Sequence, residues 1–300
     1  MVLLDKKNLI PASVLLSALM LAGALVYRAE QNKARESAPV SAPGTDLEAQ
    51  IEAAVIPKEG VELPIVWGDL GKRLVALGAI DPQKYQALYE ARGGFTDENR
   101  KFLLGSDNGK LRITDENEGY VLNLLWALGL ANKNPILDAG EMADPRYGGP
   151  QQFASTGGWT LARGNAMDHY SRHALIRLTS DEQQLVDRVS RNIFRPCCGN
   201  STHFPDCNHG MAMLGLLELM ASQGVSEPDM YRAALQVNAY WFPETYLTIG
   251  KYLAANGQSW GTADPKVLLG ADYSSIQGFQ RVRSLVIPTA GGAKGNGCGA

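Results

Sequence analysis

The sequence contains few cysteines and histidines and lacks several common catalytic motifs. Its 300 residues include 4 cysteines and 4 histidines. The motifs His-Glu-x-x-His and Cys-x-x-Cys-His are absent, which argues against familiar zinc-protease and covalent-haem sites. The formal net charge is −3, and no basic patch is interleaved with aromatic residues. We therefore expect no nucleic-acid partner.

Segments that alternate polar and apolar residues are also scarce. Residues 110–114 and 283–288 are the two short strand candidates. Elsewhere apolar residues recur at helical spacing, and Thr179 with Glu182 has the spacing of a capping box. The predicted helices cover residues 69–78, 96–104, 114–129, 179–194 and 210–224, with two more beginning at Asp81 and Ser226. The sequence predicts a mainly α protein.

The N-terminal 30 residues differ from the rest of the chain. Residues 9–27 carry no charge, two lysines precede them and Arg28 follows. This length is just sufficient for a transmembrane helix, so residues 1–30 are predicted to be a signal-anchor or transmembrane segment. A cleaved signal peptide is the alternative, because the small residues at 22–24 resemble a cleavage site.

The orientation of this segment rests on two opposing observations. Positive charge is slightly heavier after the apolar run, which favours a cytoplasmic body. A short basic N-terminus before an apolar run is instead typical of export signals. We expect a membrane-anchored protein with its body outside the cytoplasm, so the membrane is a predicted partner.

Composition divides the remaining chain into three parts. Residues 31–60 are rich in Ala, Pro, Ser and charge, which predicts a flexible linker. Residues 61–288 form the predicted helical globular body. Residues 289–300 are a Gly-rich tail, predicted to be flexible, that contains Cys298.

Three of the four cysteines and two of the four histidines lie within residues 196–210. Pro196 ends one predicted helix, and a buried helix begins at about residue 209. The segment is therefore a Cys/His-rich loop between helices, and a thiol at a helix N-terminus favours the thiolate form. The candidate metal ligands are Cys197, Cys198, His203, Cys207 and His209.

These donors suit a copper or zinc ion. Five donors exceed the four that a closed tetrahedral zinc site needs. Adjacent side chains diverge in an extended chain, so one of Cys197 and Cys198 is expected to bind. Met213 lies four residues after His209 and would add a thioether suited to Cu(I), although methionines of such an apolar helix are more often core residues.

Two other interpretations remain open for this loop. A thiol–disulfide oxidoreductase would use Cys207 with Cys197 or Cys198. A structural or interaction module would use disulfides to staple the loop, with Cys298 in one of them. A separate pair, His169 and His173, has the spacing of a chelating pair on a helix, but two solvated histidines on a surface turn are commoner.

The segment around residues 196–235 resembles two families. It is similar to exported proteins of the PCYCGC-motif group in the order Pro196, Cys197, His203 and Cys207, followed by helix, turn and helix. It also resembles cytochrome c maturation thiol-reductase domains in outline. The adjacent cysteines depart from both families, and no lipid-attachment cysteine follows the apolar run. The resemblance implies an exported protein with a metal-handling or thiol role.

The leading hypothesis is a membrane-anchored, extracytoplasmic protein that binds copper or zinc through its Cys/His loop. A protein partner for metal or thiol exchange follows from that function. The predicted fold is mainly α.

Overall fold

A computed structural model describes residues 45–286 of the protein. The predicted membrane segment and the Gly-rich tail with Cys298 lie outside these residues. Among residues 45–286, no helix combines the length and the apolar character that crossing a bilayer requires.

The described part is mainly helical, as the sequence predicts. Its first half contains helices α1 (Thr45–Val55), α2 (Leu70–Leu77), α3 (Pro82–Ala91), α4 (Asp97–Leu104) and α5 (Glu118–Ala131), with strands β1 (Val61–Gly68) and β2 (Asn108–Ile113). Short turns follow, including α6 (Pro135–Ala139) and α7 (Ala154–Gly157). The second half contains α8 (Ser180–Ser190), α9 (Asn208–Ser222), α10 (Glu227–Trp241), α11 (Pro243–Ala255), α12 (Pro265–Leu269), α13 (Ala271–Ser274) and α14 (Ile276–Val286).

Several predicted helix boundaries are confirmed by their caps. The Asp81 carboxylate accepts hydrogen bonds from the backbone N–H groups of Gln83 and Lys84 at the start of α3. Thr179 and Glu182 form the predicted capping box of α8. Gly78 ends α2 in a left-handed conformation, with φ 85°, which glycine adopts without steric cost.

Part of the predicted linker is folded. Helix α1 lies within residues 31–60, and Ile51 and Val55 are buried against the core. Lys251 of α11 pairs with Glu48 at 2.6 Å. The linker prediction is therefore wrong for residues 45–55. The Ala- and Pro-rich composition before this helix favoured a linker, although the helix itself has apolar residues at helical spacing.

The strand predictions are corrected in two places. Residues 283–286 of the second strand candidate form the last turn of α14. Strand β1, absent from the sequence-based prediction, pairs antiparallel with β2, with Val61 opposite Ile113 and Gly68 opposite Asn108. A proline in β1 removes one backbone donor and obscures its alternation, which a short strand at a sheet edge tolerates.

Helices α5 and α9 form the centre of the core and position the Cys/His loop. Their backbones approach so closely that a Cβ on Gly129 would lie 2.1 Å from the Met211 carbonyl oxygen. A Cβ on Gly215 would lie 2.5 Å from the Leu125 carbonyl oxygen. Because both glycines allow this contact, the N-terminus of α9 is held at a defined place beside α5.

Candidate metal and thiol site

The Cys/His loop is fastened to the end of α8. Phe194 and Ser201 form an isolated antiparallel bridge. The backbone N–H of Thr202 donates to the Ile193 carbonyl at 2.7 Å. Cys207 is the N-cap of α9, where its sulfur accepts a hydrogen bond from the Gly210 N–H at 3.4 Å. The predicted loop-to-helix transition is thus observed, with the helix beginning at Asn208.

The buried guanidinium of Arg195 organises the inside of the loop. Its side chain is 1% exposed. It donates to the Cys207 sulfur at 3.1 Å, the Phe204 carbonyl at 3.0 Å and the Asp206 carboxylate at 2.6 Å. A Cβ on residue 210 would lie 2.6 Å from this guanidinium, so a larger residue there would force the guanidinium to shift. Arg195 carried no signal in the sequence, because an arginine at a helix end ordinarily faces solvent.

Three of the five predicted ligands come together. One donor atom each of Cys197, Cys207 and His209 lie within 4.8 Å of one another. The two sulfur atoms of Cys197 and Cys207 are 3.6 Å apart. We call Cys197, Cys207 and His209 the thiol–imidazole cluster.

Cys198 belongs to a different group of donors. Its sulfur lies within 4.8 Å of donor atoms of Asp206 and Cys207 and 4.0 Å from the Asn200 carbonyl oxygen. Cys207 is shared by the two groups. Of the two adjacent cysteines, Cys197 is the one grouped with His209.

The thiols have opposite acid–base character. Hydrogen bonds from Cys197 and Cys198, together with the charge of Arg195, lower the pKa of Cys207 well below its ordinary value. Hydrogen bonding to Cys198 and Cys207, with burial, raises the pKa of Cys197. The proximity of Cys207 and burial outweigh the hydrogen bond to Cys197 and raise the pKa of Cys198 to about 11. Cys207 is therefore the most acidic thiol of the cluster.

His209 is held by aromatic rings. Its ring centroid lies 4.4 Å from that of Phe242 and 5.6 Å from that of Trp241. The Nδ1 atom of His209 is buried and has no hydrogen-bond partner among the described residues. Since buried polar atoms are nearly always paired, this atom is available to a ligand.

The structure places His203, the remaining predicted ligand, in another environment. Its Nε2 lies 2.8 Å from the Asp187 carboxylate, and its Nδ1 lies 3.6 Å from that of Glu141. His203 thus joins α8 to the turn after α6 and is not brought into the thiol–imidazole cluster. Sequence proximity suggested it, but the reversal of the loop at residues 194–201 turns its ring toward α8.

The other predicted donors also lie outside the cluster. Met211 and Met213 are almost completely buried in the core. This agrees with the interpretation of these methionines as core residues rather than metal ligands. His169 and His173 follow a short 3₁₀ turn, and the Nδ1 of His169 lies 3.1 Å from the Nε2 of His173. The two imidazoles therefore bind each other rather than presenting a chelating pair on one helix face.

A cavity of about 690 Å³ adjoins the cluster. Cys197 and His209 line it, together with Trp126, Trp159 and Trp241. The tryptophans come from α5, the turn after α7 and the end of α10, so their convergence had no local sequence signal. The cluster is thus part of a cavity wall.

A scan against protein-family models finds no match to this chain, and searches of curated proteins and of solved structures find none either.

Proposed function

We propose that the protein binds a soft metal ion, zinc or copper(I), through Cys197, Cys207 and His209. The separation of the two sulfur atoms, 3.6 Å, carries the proposal. Two thiolates about 2.3 Å from one tetrahedral zinc ion are about 3.8 Å apart, whereas the sulfurs of a disulfide are about 2.05 Å apart. The observed spacing needs little adjustment to accept an ion.

Two further features support metal binding. Cys207 is stabilised as a thiolate, which is the form that binds metal. His209 offers a buried Nδ1 without a partner among residues 45–286. Arg195 donates to the Cys207 sulfur and would orient this ligand from behind, as the groups around metal ligands commonly do.

The donor set suits both predicted metals. Two thiolates and one imidazole bind zinc and copper(I) well. A labile copper ion would imply delivery or sequestration, with a protein partner for metal exchange. The membrane anchor and the extracytoplasmic location are part of this proposal, and their support is the uncharged run at residues 9–27.

Elemental analysis of the full chain, purified in detergent without added metal, tests the proposal. We expect about one equivalent of zinc or copper, lost in both Cys207→Ser and His209→Ala. His203→Ala is the matched control and should retain the metal, because His203 faces Asp187. An absence of bound metal, together with no uptake of added Zn²⁺ or Cu⁺, would refute it.

A thiol–disulfide oxidoreductase is the second candidate, favoured by the contact between a Cys207 thiolate and a Cys197 thiol. Exchange would leave a Cys197–Cys207 disulfide and pass two electrons to a disulfide substrate, whose two sulfurs would leave as thiols. Access to the cavity and a lowered pKa are found on different thiols, however. Cys197 lines the cavity, whereas the more buried Cys207 has the lowered pKa. An attacking thiol needs both properties, so the geometry favours the metal site.

Activity in His209→Ala separates the two candidates. An oxidoreductase would still reduce a small disulfide after this substitution and would lose activity in Cys207→Ser. A metal site requires both residues. Retained disulfide reduction without metal binding would therefore favour the second candidate.

A further inference from the structure

The thiol–imidazole cluster supplies three donors, and it lies at a cavity wall. Cys197 and His209 line the cavity, while the Cys207 side chain is the more buried of the two cluster thiols. A closed structural zinc site has four protein ligands, whereas an open site has three and a fourth position for an exogenous ligand. An ion held here would direct its fourth position toward the cavity.

The cavity wall suits a flat aromatic molecule. The indole N–H of Trp126 donates to the Ser155 carbonyl at 2.6 Å, and that of Trp159 donates to the Ala79 carbonyl at 2.9 Å. The indole N–H of Trp241 also donates to a backbone carbonyl. With these donors used inside the protein, the indoles offer carbon surface, which aromatic guests contact by offset or edge-to-face stacking.

The charges around the cavity favour a neutral guest. Among the described residues, its wall includes two arginines, Arg92 and Arg283, and two glutamates, Glu118 and Glu244. These charges balance, so they give no preference for an anion or a cation. The volume of about 690 Å³ lies within the range of ordinary small-molecule sites.

We propose, building on the metal site above, that the cavity binds a neutral, planar heteroaromatic molecule whose ring nitrogen or sulfur occupies the fourth position of the ion. The aromatic walls hold the ring, and the ion binds its donor atom. The site is therefore a ligand-binding metal centre rather than a closed structural one.

Benzimidazole and indole are a matched pair of probes. They have nearly the same size, but only benzimidazole carries a ring nitrogen with a lone pair free to bind a metal. The full chain is loaded with Co²⁺, whose visible absorption reports its ligands. We expect benzimidazole to change the cobalt bands and to quench tryptophan fluorescence, and indole to bind at least about tenfold more weakly without changing those bands.

Phe279→Ala tests the cavity without touching the cluster. Phe279 is half-buried on α14 and lines the cavity, so its loss should weaken benzimidazole binding about three- to tenfold and leave Co²⁺ affinity unchanged. Val267→Ala, at an exposed position of α12, is the control and should change neither.

The outcomes separate this inference from the proposed function. If Co²⁺ binds with thiolate charge-transfer bands but benzimidazole leaves its spectrum unchanged, the ligand site is wrong and the metal site stands. Equal binding of benzimidazole and indole would likewise overturn coordination by the guest. If none of Co²⁺, Zn²⁺ and Cu⁺ binds to the cluster, both proposals fail together.

Discussion

At the scale of single residues, the site depends on a buried cation. Arg195 joins Cys207, Asp206 and two backbone carbonyls of the loop. Burial alone would lower the pKa of this guanidinium, but the neighbouring Cys207, Cys198 and Asp206 outweigh it and raise the pKa. The same contacts stabilise the Cys207 thiolate, so one residue sets both the loop conformation and the acidity of the thiol.

Arg195→Met should destabilise the protein strongly. The substitution leaves the partly buried Asp206 carboxylate without its cation. Removal of one partner of a buried ion pair typically costs about 3–5 kcal/mol of stability. Urea unfolding of the metal-free protein measures this loss. Arg191→Met is the control, because its ion pair with Asp187 is exposed and should contribute less than about 1 kcal/mol. Equal losses in the two variants would contradict the role assigned to Arg195.

Glu218 is a second buried charge-bearing residue, and it makes stability depend on pH. Burial raises its pKa to about 8 from an ordinary value of 4.5, despite hydrogen bonds from Asn132 and Asn134. The unfolded chain ionises first, so the stability linked to Glu218 is complete below about pH 4.5. It falls as pH rises toward about 8, by at most about 1.4 kcal/mol per pH unit, and is constant above that.

Glu218→Gln isolates this effect. The difference in unfolding free energy between the wild type and this variant should fall between pH 5 and pH 8, because glutamine does not titrate. Urea unfolding at several pH values measures the difference. A constant difference across this range would show that Glu218 does not carry the pH dependence.

At the scale of elements, the contact between α5 and α9 places the cluster. Gly129 and Gly215 allow the two helix backbones to meet, and α9 begins at the cap residue Cys207. Any increase in the spacing of these helices would shift Cys207 and His209 relative to the Cys197 side of the loop.

Gly215→Ala should therefore affect both stability and metal affinity. Its Cβ would lie 2.5 Å from the Leu125 carbonyl oxygen, and such overpacking typically costs about 1–3 kcal/mol. Gly119→Ala, near the start of α5, is the control because its Cβ would contact nothing within 4 Å. It should be neutral or stabilise by about 0.5–1 kcal/mol. Unfolding and zinc titration of both variants provide the measurements.

At the scale of the whole molecule, the proposed ion would join the loop that ends α8 to the N-terminus of α9. Helix α1 extends the folded body toward the N-terminus and packs on α11 through Ile51, whose methyl group would lie 2.7 Å from a Cβ on Gly250. The body therefore begins at least as early as residue 45.

Zinc should stabilise the folded body by binding to it preferentially. At a free concentration of one hundred times its dissociation constant, the expected gain is about 2.7 kcal/mol. Thermal unfolding with and without chelator measures this gain, which should vanish in His209→Ala. A gain of the same size in that variant would place the binding site elsewhere.

The local features of this protein were predictable because their causes lie close together in the sequence. Thr179 with Glu182, Asp81 and Gly78 determine helix ends through contacts within a few residues. The Cys/His loop was also evident, since Pro196 and the buried helix after it bracket the donors. At residues 45–55 the composition favoured a linker, so the helix there was not predicted. Ile51 and Val55 are recognised as core residues only from their packing against α11.

Which donors meet was decided by the tertiary structure alone. Cys197, Cys207 and His209 converge because the loop folds back on α8 and because α9 packs closely against α5. The same folding turns His203 toward Asp187. The sequence determined the mainly α character and the residues available for the site, because both depend on local chemistry. Only the packed chain determined the cluster, its buried Arg195 and its aromatic cavity, because these contacts join distant segments.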